Sequence, residues 1–455
     1  MRDSLLNSIP WVSRRAFALE AAATLLFAFA LSFLEGGTVG IFLKQTFLGT
    51  ISPGAHNYAV ALIGSSAELA NLVSFGWIAA ARGKPRVRFI NSLQLGMCLC
   101  LAGVALVPIN AAGLWITVVL VVSARICWSG IVTLRTSVWR QNYPREVRSR
   151  AIGRFAIITQ LAVAAGGFLI GASLDLERES FRVLAPVLAT IACGGLFFYS
   201  RIRVRGERAA LEQERADARQ TAGRMMRPWE GIFSTWRILR NDRRYAQFMG
   251  FMFLLGMGNL MVVPLVSIAL HRRFDLGDAA ARSGVFVTST LPNLLMPLSV
   301  PLWAALLDRS HVVRFRAWHG WAFVLAVGFF LSGFVFQAMP LVYAGSVCWG
   351  IALGGGSLAW NLGHTDFAPP SLNSHYMATH VTLNGLRGVI APAVAATLFN
   401  AFTSWHVPDP GSWVLAVSLV FTIAGCLGFV WLRHSMGQAV ATHTRSGISS
   451  ERAGT

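Results

Sequence analysis

The chain has 455 residues, of which 55% are hydrophobic and 13% charged, with a formal net charge of +19. Soluble domains carry about 25% charged residues, and a soluble chain of this length would split into two or three domains with polar surfaces. Here the apolar residues come in long runs such as Ala21–Leu34, Phe323–Phe336 and Trp413–Leu432, which excludes an ordinary soluble fold, and the basic residues punctuate these runs, which argues against nucleic-acid binding.

A helix needs about 20 apolar residues to cross the ~30 Å hydrocarbon core. Twelve spans are predicted: 17–43, 57–80, 88–108, 114–137, 151–173, 183–201, 246–270, 282–306, 317–338, 341–362, 376–402 and 412–433. Strand-length alternation is missing, which argues against an outer-membrane barrel. The first run is too long for a signal peptide and lacks a convincing cleavage site, so it reads as the first span. The expected fold is an all-α polytopic membrane protein with about twelve transmembrane helices in two six-helix halves.

The basic residues sort the connections into two classes. One holds Arg82, Lys84, Arg86 and Arg88, then Arg140, Arg145, Arg148, Arg150 and Arg154, the segment Arg201–Arg244, and Arg309, Arg314 and Arg316. The other holds only Lys44, Arg178, Arg182, Arg272, Arg273 and Arg282. Lys and Arg accumulate on the cytoplasmic side, so both termini are expected there, with anionic lipid headgroups as natural contacts. The expected divisions are 1–203 (first bundle), 204–245 (basic cytoplasmic linker), 246–434 (second bundle) and 435–455 (a disordered cytoplasmic tail). Within the linker, Trp229 to Tyr245 reads as an amphipathic stretch that can lie along the membrane surface.

The six cysteines fall inside apolar runs without metal or disulfide spacing and read as small core residues. His364, Asp366, His375 and His380 gather around the connection of spans 10 and 11. The spacing of His375 and His380 takes them off a common helical face, so a polar loop closed by Pro369-Pro370 is preferred to a zinc site. Gly354-Gly355-Gly356 lacks the lysine and strand of a phosphate loop. No metal or cofactor is expected.

An internal repeat is visible. The stretch Trp77–Phe89 follows span 2, and Trp303–Phe315 follows span 8 at an offset of 226 residues; the same offset carries Pro144 onto Pro370. After span 2 the chain has Gly76, then Gly83-Lys84-Pro85-Arg86, with Ala80-Ala81 in the acid–arginine position of a G-x-x-x-D-R-x-G-R-R/K pattern. Asp308-Arg309 supplies that pair in the second half. Arg125 in span 4 with Gly130 nearby, and Gly167–Gly171 in span 5 without a following proline, complete the set. On these features and the six-plus-six layout, nearly the whole chain resembles the major facilitator superfamily. The resemblance implies a monomeric carrier that rocks two halves about a midplane site. It also implies that Gly76, Gly83, Lys84, Arg86, Asp308 and Arg309 belong to loops that switch with conformation. The antiporter form of the span 5 motif is incomplete.

Ionisable residues at membrane depth are functional candidates, because a charge there costs at least about 2.5–3.5 kcal/mol. Four are singled out: Glu35 in span 1, Glu68 in span 2, Arg125 in span 4 and Arg387 in span 11. Glu68 lies eight residues before Gly76, about 12 Å from the loop at about 1.5 Å per residue. It can load and release a proton, or form a static pair with an arginine. Glu35 precedes Gly36-Gly37 and Gly40, glycines suited to a kink or a close helix approach. Arg125 needs a carboxylate, a substrate anion or carbonyl partners; two unpaired arginines facing water would favour an anionic substrate, and two paired ones would not. By resemblance, spans 1, 4, 7 and 10 line the cavity, which adds Asn259, Trp360 and Asn361.

The expected function is secondary transport of a small organic solute, coupled to protons through Glu35 or Glu68, with efflux favoured. No Walker motif is present. The alternatives are a transporter-like receptor or assembly factor without transport and, more remotely, a membrane enzyme. The arginine-rich composition points to a bacterial inner membrane.

Overall fold

The structure, a computed structural model, describes residues 10–220, 228–369 and 372–452. Pro370, and with it half of the expected proline stop and the Pro144–Pro370 correspondence, lies outside them. Every regular element among the described residues is helical. Eleven helices are long and apolar enough to cross a membrane: Trp11–Leu34, Arg86–Val104, Ala111–Asn142, Arg150–Leu176, Phe181–Ser200, Arg243–Arg273, Gly277–Leu307, Val312–Val335, Met339–Asn361, His375–Ser404 and Pro410–Met436. Span 2 makes the twelfth and is broken into Pro53–Gly64, Ser66–Leu72 and Ser74–Ala81, each too short to count alone. At its breaks, hydroxyls bond back to the preceding turn: Ser65 donates to the Ala61 carbonyl at 3.0 Å and Ser74 to the Asn71 carbonyl at 2.7 Å.

Span 1 also breaks. It runs Trp11–Leu34, turns at Glu35 in extended conformation (φ −61°, ψ 132°), and resumes as Gly36–Thr46. The kink falls on the glutamate, while the glycines serve close packing. A methyl on Gly37 would lie 2.7 Å from Thr288 Oγ1, and one on Gly40 would lie 3.3 Å from Ser267 Oγ. Span 8 carries a π-helical turn at Phe286–Thr290.

The halves repeat in space as well as in sequence. Within the first, span 1 packs on spans 5 and 6, span 3 on spans 4 and 6, and span 2 on span 4. Within the second, span 7 packs on spans 11 and 12, span 9 on spans 10 and 12, and span 8 on span 10. The repeated tryptophans make the same bond: Trp77 Nε1 donates to the Ile126 carbonyl at 3.1 Å, and Trp303 Nε1 to the Ile351 carbonyl at 2.8 Å. Each is met edge-on by the aromatic twelve residues later, Phe89 and Phe315.

The extensive contacts between halves run from spans 1, 2 and 5 to spans 7, 8 and 11. Many sit at the end away from the termini. Asn57 Nδ2 donates to Asn400 Oδ1 (2.7 Å) while Lys44 Nζ, of the same half as Asn57, donates to Asn57 Oδ1 (3.0 Å), and Asp175 accepts from the backbone amides of Ala281 (2.7 Å) and Arg282 (3.0 Å). Gly64 packs on Pro264, leaving 3.4 Å for an added methyl.

The linker forms the helices Glu207–Gln220 and Pro228–Asn241, the second covering most of the expected amphipathic stretch; the side chains of 228–234 lie outside the description. The last helix continues as far as Arg452.

Candidate functional site

A cavity of about 400 Å³ lies between the halves, with Glu68 and Asn71 of span 2 on one side. The rest of its wall comes from the second half: Met252, Gly256 and Asn259 of span 7, Met296 of span 8, Arg316 and Phe323 of span 9, Trp349, Ser357, Trp360 and Asn361 of span 10, and Asn384 and Arg387 of span 11. Five of the seven candidates from sequence therefore share one cavity: Glu68, Asn259, Trp360, Asn361 and Arg387.

The charged pieces are linked in a row. Asn384 Nδ2 donates to Glu68 Oε2, and Asn384 Oδ1 accepts from Arg387 Nη2 at 2.5 Å. Arg387 Nη1 donates to the Met252 carbonyl, and Asn71 reaches Glu68 from its own helix at 3.4 Å. Three glycines make room for this. A methyl on Gly388 would collide with the Glu68 side chain and one on Gly385 with Leu72. On Gly256 it would lie 2.5 Å from the Arg387 guanidinium carbon. One amide side chain thus joins a carboxylate of the first half to a guanidinium of the second.

Glu35 and Arg125 do not line this cavity and pair with each other at 3.3 Å, the arginine nearly buried and the glutamate about one-third exposed. Arg125 therefore has a carboxylate partner, and Arg387 has amide and carbonyl partners instead.

The expected switch loops are placed as follows. Gly76 is exposed. Gly83 takes φ +69°, a left-handed turn open to glycine, and its N–H donates to Glu214 of the linker at 3.0 Å. Arg86 pairs with Glu214 and gives its backbone N–H to Glu207 at 3.0 Å, while Arg215 donates to the Gly83 carbonyl at 3.1 and 3.2 Å. Lys84 lies over the Phe89 ring at 5.1 Å. The linker helix thus holds the loop where the Asp-Arg pair is replaced by alanines. In the second half Asp308 and Arg309 are exposed. There Asp366, from the end of span 10, accepts the Val312 amide at 2.7 Å.

Sequence reasoning misplaced Arg316. Counted with the loop arginines, it is only 3% exposed and faces the cavity from the first turns of span 9, because helix Val312–Val335 begins earlier than predicted. It also missed Glu20 and Arg135, both inside predicted spans. Glu20 is fully buried and accepts from Arg135 (3.2 Å), Trp139 and Tyr143 (3.0 Å), while Arg135 also reaches Thr24 at 2.7 Å. The position of both residues within predicted spans was the available signal. His380, grouped with the loop histidines, is buried in span 11 with its ring 5.9 Å from that of Trp360. Among the described residues, no three His, Cys, Asp or Glu side chains gather as a metal ion requires.

Comparison with known proteins extends this geometry. The family model described as Major Facilitator Superfamily matches residues 25–392. No curated protein matches. Among solved structures, the chain is similar to a nucleoside transporter, NupG in a mutant form, at TM-score 0.68 and 12% identity, covering 91% of this chain and 98% of that one. It is similar to a POT family transporter in complex with 5-aminolevulinic acid (TM-score 0.66, 13% identity, 94% and 99% covered). It is also similar to a D-xylose-proton symporter (0.65, 14%, 92% and 96%). With the family model spanning most of its length and the duplicated six-helix halves closing on a central cavity, the chain belongs to the major facilitator superfamily of membrane transport proteins.

Proposed function

We propose that the protein is a secondary transporter that carries a small organic solute by alternating access, exchanging it for protons at Glu68. The observation that carries the reading is the cavity itself, walled by both halves and crossed by the Glu68–Asn384 hydrogen bond. A carboxylate that binds the opposite half in one conformation loses that partner when the halves rock apart. It then either charges against water or takes a proton, and this alternation is the requirement for coupling. Glu35 is less suited, since Arg125 neutralises it within the same half. The rings of Phe323, Trp349 and Trp360 suit an amphipathic solute. With the termini cytoplasmic, as the distribution of arginine favours, the cavity faces inward; the direction we propose for such an amphipathic solute is export, across a bacterial inner membrane and by a monomer.

The test is solute movement in proteoliposomes with and without an imposed pH gradient. Glu68→Gln is expected to retain solute exchange and lose gradient-driven accumulation. Accumulation equal to wild type would remove Glu68 from coupling. Failure of any solute in a broad panel to move would favour a second reading, a transporter-like receptor or assembly factor. That alternative draws support from the linker's hold on the Gly83–Arg86 loop.

A further inference from the structure

We infer that the cavity takes a small organic anion, whose carboxylate or phosphate group sits between Arg316 and Arg387; this rests on the transporter reading and names its substrate class. The two arginines are 3% and 8% exposed, and neither joins an ion pair among the described residues. Arg316 Nη1 meets Nδ1 of His319 at 3.3 Å. The other ring nitrogen of His319 is 2.8 Å from the Ala352 carbonyl, to which it must donate. Nδ1 is then an acceptor and the ring is neutral, so Arg316 receives a hydrogen-bond acceptor and no negative charge. Arg387 likewise has a carbonyl and an amide oxygen as its hydrogen-bond acceptors, and Glu68 approaches it only across Asn384, beyond ion-pair distance. The Nε atoms of both guanidinium groups are buried without hydrogen-bond partners among the described residues, as are both ring nitrogens of His380.

The cavity wall offers one carboxylate, Glu68, and Asn384 and Asn71 already donate to it. Two buried guanidiniums against one occupied carboxylate leave an uncompensated positive charge, which is costly away from water. A neutral solute satisfies N–H groups without cancelling charge, and a cation adds to the excess. A carboxylate or phosphate cancels it and fits the planar N–H fork. Trp360 and Phe323 then face the apolar body of the ligand, in a cavity of ordinary small-ligand size.

The test uses four probes that share one ring and differ in the head group: benzoate, phenyl phosphate, benzamide and benzylammonium. Calorimetry on the purified full chain is expected to show at least one anion binding tenfold or more tighter than benzamide and benzylammonium, and benzoate against phenyl phosphate assigns the acid. Arg316→Gln and Arg387→Gln are each expected to weaken the anion at least tenfold and leave benzamide within about twofold. Arg316→Lys, which keeps the charge, retains part of the affinity, separating charge loss from misfolding. Equal or tighter binding of the amide or ammonium overturns the inference, as does failure of all four to bind. Counterflow of labelled probes separates the two readings. An anion that binds and is not moved leaves the anion site and removes the transporter; a moved amide or ammonium with no anion binding does the reverse.

Discussion

Gly37→Ala separates the halves at the end away from the termini. The added methyl would lie 2.7 Å from Thr288 Oγ1 and 2.8 Å from the Thr288 carbonyl oxygen. Non-bonded heavy atoms rest at about 3.5–4.0 Å, so spans 1 and 8 must part by about 1 Å. The hydroxyl can rotate away, but the carbonyl is fixed in the π turn of span 8 and cannot. Overpacking of this kind costs about 1–3 kcal/mol. Only the conformation with these helices in contact bears the cost, so the balance moves toward its alternative by a factor of about 5–150. Ser267→Cys reports the change. Ser267 is fully buried beside Gly40 at the closed end, so a membrane-impermeant maleimide reaches it only when that end opens. Peptide mass spectrometry reads the labelling rate, with the buried native Cys98 and Cys426 as internal controls. Gly37→Ala is expected to raise the rate at position 267 within that range and leave the control cysteines unchanged. An unchanged rate in a stable protein refutes the gating argument, and faster labelling of every cysteine shows general loosening instead.

Other perturbations test separate parts of the structure. Glu20→Gln leaves Arg135 charged in a buried site and is expected to destabilise the first half by about 3–5 kcal/mol, read as a loss of thermal stability in detergent; pairing it with Arg135→Met recovers much of the loss. Asn57→Leu strands both Lys44 and Asn400 at the closed end and is expected to raise labelling at Ser267→Cys, as Gly37→Ala does. Gly256→Ala pushes on Arg387 and is expected to lower solute affinity with little change in melting temperature, since the cavity gives the guanidinium somewhere to move.

The parts of this protein that were legible in its sequence are those set by the solvent. Lipid forces each span to satisfy its own backbone, so helix number and approximate position can be read from apolar run length. The Trp77–Phe89 and Trp303–Phe315 match announced the duplication, and both tryptophans make the same inter-span bond. The failures have a different origin. Arg316 sits only four residues into its helix, and run length cannot tell a cavity-facing arginine near a span end from a loop arginine. Glu20 and Arg135 lay inside predicted spans, and their depth there was a signal left unused. The breaks in span 2 coincide with local serine-to-backbone bonds, which hydropathy does not register. Pairing was also out of reach, because which carboxylate meets which guanidinium depends on helix rotation.

That pairing makes the duplicated halves unequal. The first half pairs both of its buried arginines with its own carboxylates: Arg135 with Glu20 near the end where the termini lie, and Arg125 with Glu35 further along. Neither pair need break when the halves move as rigid bodies. The second half holds Arg316 and Arg387 without carboxylates of its own, and the negative group that approaches them, Glu68, belongs to the other half. The cavity is thus closest to neutral when the halves are together at Asn384, and rocking them apart removes that contribution. An anion bound as proposed would supply negative charge that stays with the second half throughout. It would therefore lower the cost of the motion as well as occupy the site, which is how a carrier comes to move faster loaded than empty.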